Sequence, residues 1–391
     1  MQLTKEQQKM LDGEAGEAPA QAMQILAALG KIYGAENMIP ISSAQVSGVS
    51  YETIGDAGLE YLQDYASKNA KVKTLTFLNP AGMDRDQYEK MDVPSDFAKK
   101  QIQILDAFKS MGITMSCTCA PYHIGIRPKV GEHIAWAESS AVAFANSVLG
   151  ARTNREGGPS ALAAAITGFT PNYGLHLDEN RLAGIIIEVE ATPKTTADFG
   201  AMGSYLGKKI KSKIPAFTNL NFAPEIKLKT LGASMAATGS TALFYIKNIT
   251  PEFMVKENAE KLTFTQEELI YHKKELNCGE KPDLVTIGCP HASLEEIKEV
   301  ANLIKGKKLA CKLWVCCAKK TKDLASEHGF TKIIEEAGGN VVADTCMVVS
   351  PLRQMGYSCT ACNSGKAAKY LSSLQKQKVV FGDVEDILLC D

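Results

Sequence analysis

Three cysteines in this chain share one local setting. Cys119 follows the run GITMS, Cys289 follows LVTI and Cys346 follows NVVAD, and each run has the short, apolar character of a buried strand. In open α/β sheets the carboxyl ends of the strands line the ligand crevice. Three thiols delivered by strand ends can therefore converge although they are far apart in the chain. Thiolates hold iron–sulfur clusters, and a cluster with only three protein thiols keeps one iron open to substrate. Three unrelated buried cysteines would give the same pattern, because a free cysteine also behaves as a small hydrophobe. At this level both readings stand.

Other residues invite chemistry beside them. Glu138, in Glu138-Ser139-Ser140, falls in an apolar run, and a buried carboxylate requires a partner. It is a candidate acid, base or iron-site residue, or else it faces solvent or pairs with Arg152 or Arg155. Those two arginines lie in the Gly-rich bend 150–159, which suits carboxylate or phosphate recognition and equally suits a solvated turn. Asn363-Ser-Gly-Lys366 precedes a helical pattern, and a helix N-terminus beside a lysine can hold an anion. The loops 45–50 and 79–82 can bring backbone donors to a small ligand. Cys359-Thr-Ala-Cys362 is a CxxC, which alone can be a redox dithiol or half of a zinc site; it carries the alternative of a non-catalytic zinc or thiol-redox protein. His123, His133, His176 and His291 lie near these stretches and are read as structural. No nucleophile elbow, P-loop or H-E-x-x-H motif occurs.

The elements that must position these groups alternate between strand and helix, the pattern of an α/β fold. Helices are expected over 4–33, broken around 13–19, and strands at 39–41, 71–78 and 113–116. The run 132–149 reads as one deeply packed helix and 159–167 as another. Residues 182–190 and 242–246 read as strands, and the charged stretch 251–281 as a connecting helix. Strands at 284–287, 312–316 and 341–343 then alternate with helices at 293–304 and 321–337, and Ser293 with Glu296 forms a capping box. This places a boundary near 276, dividing the chain into a core over 1–275 that carries Cys119 and an α/β lobe over 276–391 that carries Cys289, Cys346 and Lys366.

Composition narrows the class. A chain of 391 residues with 45% apolar residues can fill a large core, and a net charge of −1 offers no basis for nucleic-acid binding. No apolar run approaches the roughly 20 residues that cross a bilayer. The first residues are polar, without the apolar stretch of a secretory signal, so a cytoplasmic location is expected. There the eleven cysteines are not a disulfide framework. Cys311, Cys316 and Cys317 read as buried hydrophobes, and the same reading extends to Cys278 and Cys390.

TCAPYHIG (118–125), GEHIAWAESSAVAFANSVLGARTNREGGP (131–159), TPNYGLHLDENR (170–181), GCPHAS (288–293), ADTCMVVSP (343–351) and CNSGKAAKY (362–370) together resemble the large subunit of the aconitase X family. The resemblance runs over nearly the whole chain and implies the multi-lobe aconitase-superfamily architecture and dehydratase chemistry. It implies that Cys119, Cys289 and Cys346 hold an iron–sulfur cluster, with 4Fe-4S expected over 2Fe-2S or a single iron, and it selects Cys119 over Cys117. It places Glu138, Ser139 and Lys366 in the catalytic site and makes them, with Gly48, Val49, Ser50, Asn79 and Pro80, contacts to a small hydroxy acid. It also implies a small-subunit partner in a heterodimer, which supplies the catalytic base. The chain departs from the family at Ala120 and at Cys362, both usually threonine, and the second departure makes the CxxC a bystander. Two dehydrations go with the family, that of (R)-5-phosphomevalonate to trans-anhydromevalonate 5-phosphate in a mevalonate pathway to isoprenoids and that of cis-3-hydroxy-L-proline. Arg152, Arg155 and Lys366 as anion contacts favour the first.

Overall fold

The computed structural model describes residues 1–389; Cys390 lies outside them. Three parallel sheets organise it. The first runs in the order Thr114–Cys117, Leu75–Leu78, Ser43–Val46, Ala135–Trp136. The second runs Val255–Phe264, Ala183–Val189, Pro215–Thr218, Tyr245–Ile246. The third runs Gly339–Ala343, Lys312–Cys317, Leu284–Ile287, Cys359–Cys362, Lys378–Phe381. Parallel strands need crossovers, and helices supply them, covering sheet faces that read as continuous apolar runs. Thus Leu284–Ile287 is buried at every position. Met38–Pro40 and Phe169–Pro171 add a short antiparallel ribbon to the first sheet's lobe. Among the described residues no helix is long and apolar enough to cross a membrane.

Several elements differ from the sequence expectation. The run 132–149 is not one helix: Ala135–Trp136 pairs with Ser43–Val46 as a strand, and the helix spans Ser139–Ser147. Glu138 is its N-cap, with extended backbone and a carboxylate that accepts from the Ser140 N–H. The stretch 251–281 holds the ten-residue strand Val255–Phe264 before its helix, Gln266–Glu275. That strand pairs on one side only, and its exposed Lys and Glu are the charges that guard a sheet edge. The expected helix over 321–337 is two, Lys319–Glu327 and Phe330–Glu336, parted at Gly329 with φ +76°. Cys316 and Cys317 are buried as expected, whereas Cys278 is exposed.

Two glycines set the close approaches on which the third sheet's loops depend. Gly288, with φ +98°, ends Leu284–Ile287, and a Cβ there would stand 2.1 Å from the Cys316 carbonyl oxygen. Gly365 opens the helix Gly365–Ser373 against the helix Thr196–Ile210, where a Cβ would stand 2.4 Å from the Gly200 oxygen. The lobe of the second sheet thereby seats the helix that carries Lys366.

Candidate active site

The residues singled out for chemistry leave the carboxyl ends of strands in the first and third sheets. Asn79 directly follows Leu75–Leu78, Cys119 comes just past Thr114–Cys117 and Glu138 just past Ala135–Trp136. Cys289, Cys346 and Lys366 likewise follow Leu284–Ile287, Gly339–Ala343 and Cys359–Cys362. The two sets of loops meet where Ala81 bridges to Thr345 and the Ala81 N–H donates to the Asp344 carbonyl at 2.8 Å. They enclose a cavity of about 210 Å³ lined by Asn79, Pro80, Cys119, Glu138, Ser139, Cys289, Cys346 and Lys366, with Val348, Val349, Tyr370 and Leu374. Gly48 instead lines a second, more apolar cavity. Its loop reaches the first one through Ser50, whose hydroxyl donates to the Val349 carbonyl at 2.7 Å while capping the helix Tyr51–Ser67. Val49 is buried behind it, its carbonyl accepting from the Gln101 amide at 2.8 Å.

The cavity has a charged floor. Glu138 and Lys366 form a buried ion pair. The second Glu138 oxygen accepts from Asn79 Nδ2 at 2.9 Å, and the first also accepts from the Ser140 hydroxyl at 3.0 Å. Burial alone would raise the Glu138 carboxyl, but the Lys366 ammonium and the Ser140 donors outweigh it and hold the group below its ordinary value. Burial likewise works against the Lys366 charge, and the Glu138 carboxylate reverses it, so the lysine stays an ammonium. Asn79 Oδ1 is buried without a partner, an acceptor left over for a ligand.

The three thiols respond to one another. Burial pushes Cys119 up to about 12, with Lys366 pulling back and Cys289 adding to the rise. Cys289 is raised by burial too, and Cys346 by burial and then by Cys289 and Cys119. Three thiols that share one enclosed wall and oppose one another's ionisation become thiolates only against a strongly positive centre. That chemistry fits an iron–sulfur group. Among the described residues no group of three His, Cys, Asp or Glu is arranged to hold a single metal ion; a cluster spreads its thiolates over several irons. Cys117 faces elsewhere, raised by burial and by Asp344 with Arg85 opposing.

The CxxC does not make a site. Its residues lie three apart on the strand Cys359–Cys362 and so project from opposite faces. Cys359 packs with Val285 and Ile287, and Cys362 with the cluster that contains Cys289 and Cys346. The anion role expected of Arg152 also fails. Its guanidinium is already taken up by Asp178, by Glu252 and by the Gly150 carbonyl, in a network that Arg181 joins through Glu252. Arg155 is exposed, and neither arginine pairs with Glu138.

Three further polar residues matter here: Ser140, which the sequence reading named only as a neighbour of Glu138, His291, which it read as structural, and Gln101, which it passed over. Ser140 contacts both members of the ion pair. Gln101, fully buried, accepts from the N–H groups of Tyr51 and Gly82 and so holds two site loops together. His291 is buried between the cysteine loops, and burial lowers its imidazole to about 3, leaving the ring neutral. Ser140 carried a signal as a hydroxyl in an apolar run and His291 as a histidine beside Cys289, whereas Gln101 carried none.

The chain as a whole is similar to known proteins. The family models described as Aconitase X first, second and third domains match residues 1–179, 183–273 and 282–389. The phosphomevalonate dehydratase large subunit of Methanocaldococcus jannaschii is 54% identical, with 99% of each chain covered. That of Methanothermobacter thermautotrophicus is 48% identical, over 97% of this chain and 96% of the relative. The cis-3-hydroxy-L-proline dehydratase of Pseudomonas aeruginosa is 33% identical over 96% of this chain, which spans 67% of that protein. In structure, the holo-form of Thermococcus kodakaraensis aconitase X superposes with a TM-score of 0.94 at 47% identity, covering 99% of both chains.

Proposed function

This chain belongs to the aconitase X family, and on that footing we propose that it is the large subunit of a hydro-lyase that dehydrates (R)-5-phosphomevalonate to trans-anhydromevalonate 5-phosphate, a step toward isoprenoids. The observation that carries the substrate is the end-to-end identity with phosphomevalonate dehydratase large subunits, 54% in one of them, against 33% for a cis-3-hydroxy-L-proline dehydratase that is half as long again. A large subunit calls for a small one, and the proposed assembly is a heterodimer with that small subunit.

The reaction removes a proton next to a carboxylate and expels hydroxide from the neighbouring carbon, and neither step is easy near neutral pH. Cys119, Cys289 and Cys346 would hold an iron–sulfur centre, with 4Fe-4S as the form proposed, which when bound would supply Lewis acidity for expelling the hydroxyl. The chain's own residues do the rest of the positioning. Lys366 presents an ammonium to the substrate carboxylate, where negative charge builds as the α-proton leaves. Glu138 fixes that ammonium, and Asn79 in turn fixes Glu138 through its amide N–H. The spare Asn79 Oδ1 accepts from the substrate hydroxyl and orients it. Ser139 opens the buried helix beside Glu138 on the same wall. The α-proton goes to a base on the small subunit.

The test is anaerobic coexpression with the small subunit, followed by assay of both substrates. Turnover of phosphomevalonate, and little of it by the large subunit alone, is the expected result. Preference for cis-3-hydroxy-L-proline, or full activity without a partner, overturns the reading.

A further inference from the structure

We propose that His291 is a positioning residue that locks the three thiol-bearing loops into one register. The inference rests on the reading that Cys119, Cys289 and Cys346 hold an iron–sulfur centre. The contacts of this residue tie its own loop to the two others. Its Nδ1 lies 3.0 Å from the hydroxyl of Thr118, the neighbour of Cys119, and its Nε2 lies 2.9 Å from the carbonyl oxygen of Thr345, the neighbour of Cys346. Its backbone N–H donates to Cys119 Sγ at 3.2 Å, and its own loop carries Cys289 two residues before it.

The hydrogen-bond directions follow from the partners. A carbonyl only accepts, so Nε2 carries the proton, and the bare Nδ1 accepts from the Thr118 hydroxyl. That hydroxyl oxygen in turn accepts from the Ala120 N–H at 3.1 Å, which closes the turn around Cys119. On the Cys346 side, Thr345 and Ser350 join through their hydroxyls at 2.9 Å. The ring is thus a rigid spacer of fixed tautomer between the first and third sheets, both nitrogens used, in a residue only 1% exposed.

A spacer sets distances only if its own base is held, and this one is. From the lobe of the second sheet, Lys229 in the helix Glu225–Gly239 donates to the His291 carbonyl at 3.1 Å and pairs with Glu296 at 2.5 Å. Glu296 accepts from the Ser293 N–H at 2.8 Å, which fixes the far end of the same turn. Groups that orient metal ligands from behind typically control metal affinity by roughly 10- to 100-fold. A hydrogen bond to a ligand sulfur also shifts the reduction potential of a cluster.

The experiment uses the two-subunit enzyme reconstituted anaerobically, comparing wild type with Cys289→Ser, His291→Ala, His291→Gln and Thr118→Val. Readouts are iron and sulfide per chain, the rate of iron loss to a chelator, the electron paramagnetic resonance spectrum and the midpoint potential. Expected are iron loss roughly 10- to 100-fold faster in His291→Ala, with partial rescue by Gln, whose amide can serve both partners, and an intermediate rate in Thr118→Val. The spectrum or potential should shift as the N–H to Cys119 sulfur bond is disturbed. If wild type binds no cluster, or Cys289→Ser retains it unchanged, the cluster reading fails. If wild type binds it, Cys289→Ser loses it, and His291→Ala and Thr118→Val match wild type in rate and spectrum, the role of His291 is refuted. Should His291→Ala not fold, the near-isosteric Thr118→Val decides by the same two readouts.

Discussion

Replacing Lys366 by methionine strands the Glu138 carboxylate in a buried site, and the structure sets the size of the effect. Lys366 is 5% exposed and Glu138 9%. Without the ammonium, Glu138 keeps only the Asn79 amide and the Ser140 N–H and hydroxyl. Removing one partner of a buried pair costs about 3–5 kcal/mol. Protonation caps that cost: holding a carboxyl neutral takes about 1.4 kcal/mol for each pH unit above its ordinary value near 4.3, or about 3.7 kcal/mol at pH 7 and about 1 kcal/mol at pH 5. The sign reverses between the two proteins. In the wild type Glu138 is held low, so its stabilisation is present above the ordinary carboxyl range and fades as pH falls. In Lys366→Met burial is opposed only by the neutral Asn79 and Ser140 donors and the carboxyl is raised, so stability is kept in acid and lost as pH rises.

Because a chain of three lobes does not unfold in one step, the measurement of choice is amide hydrogen exchange in the helix Gly365–Ser373, which reads local opening in the large subunit. After correction for intrinsic rates, exchange in Lys366→Met should be about 500-fold faster than wild type at pH 7 and about 5-fold faster at pH 5. The double variant Glu138→Gln/Lys366→Met, with no charge left to bury, should recover most of the protection. A difference that does not vary with pH, or a double variant no better than the single one, would refute the electrostatic account.

Three further outcomes are expected. Cys119→Ser, Cys289→Ser and Cys346→Ser should each lose iron on anaerobic purification, whereas Cys117→Ser, Cys359→Ala and Cys362→Ala should retain it; iron and sulfide analysis decides. Glu156 is buried with only the Ser160 and Thr170 hydroxyls as partners, and burial raises its carboxyl. Its contribution is therefore favourable in acid and is lost as pH rises through the raised value, so Glu156→Gln should unfold at a higher temperature than wild type at pH 8, by on the order of 1 kcal/mol, with the gap closing by pH 4; a lower midpoint at pH 8 contradicts this. Arg152→Lys keeps the charge but loses the fork that grips Glu252 and Asp178, so calorimetry should show a lower melting temperature while the KM for the phosphorylated substrate stays unchanged.

Much of the third lobe could be read directly from residue order. Short apolar runs marked three of its five strands, Leu284–Ile287, Lys312–Cys317 and Gly339–Ala343, but not Cys359–Cys362 or Lys378–Phe381, and Ser293 with Glu296 marked a helix start that the structure keeps. The strand-end position of the three cysteines was legible for the same reason, since it depends only on local pattern. The misread segments are those whose state is decided by distant partners. Ala135–Trp136 is too short to show a period and becomes a strand only by pairing with Ser43–Val46. Val255–Phe264 carries the charges of a helix surface because it is a sheet edge. The contacts of His291 were unreadable since its partners stand 173 and 54 positions away. The CxxC misleads in the opposite way: spacing suggests a pair, and strand geometry parts it.

The distribution of the thiols along the chain also bears on how the protein matures. More than half of the chain separates Cys119 from Cys346, and the two belong to different sheets. At about 5–20 residues per second of synthesis, the first thiol waits about 10–45 s for the last, and the loops that carry them meet only after both sheets have closed. A centre held by all three must then be loaded after translation, into lobes already built. Until the third sheet closes, Cys119 waits at an open sheet end without Cys289 and Cys346, and that interval is when oxidation or a wrong metal would do most harm.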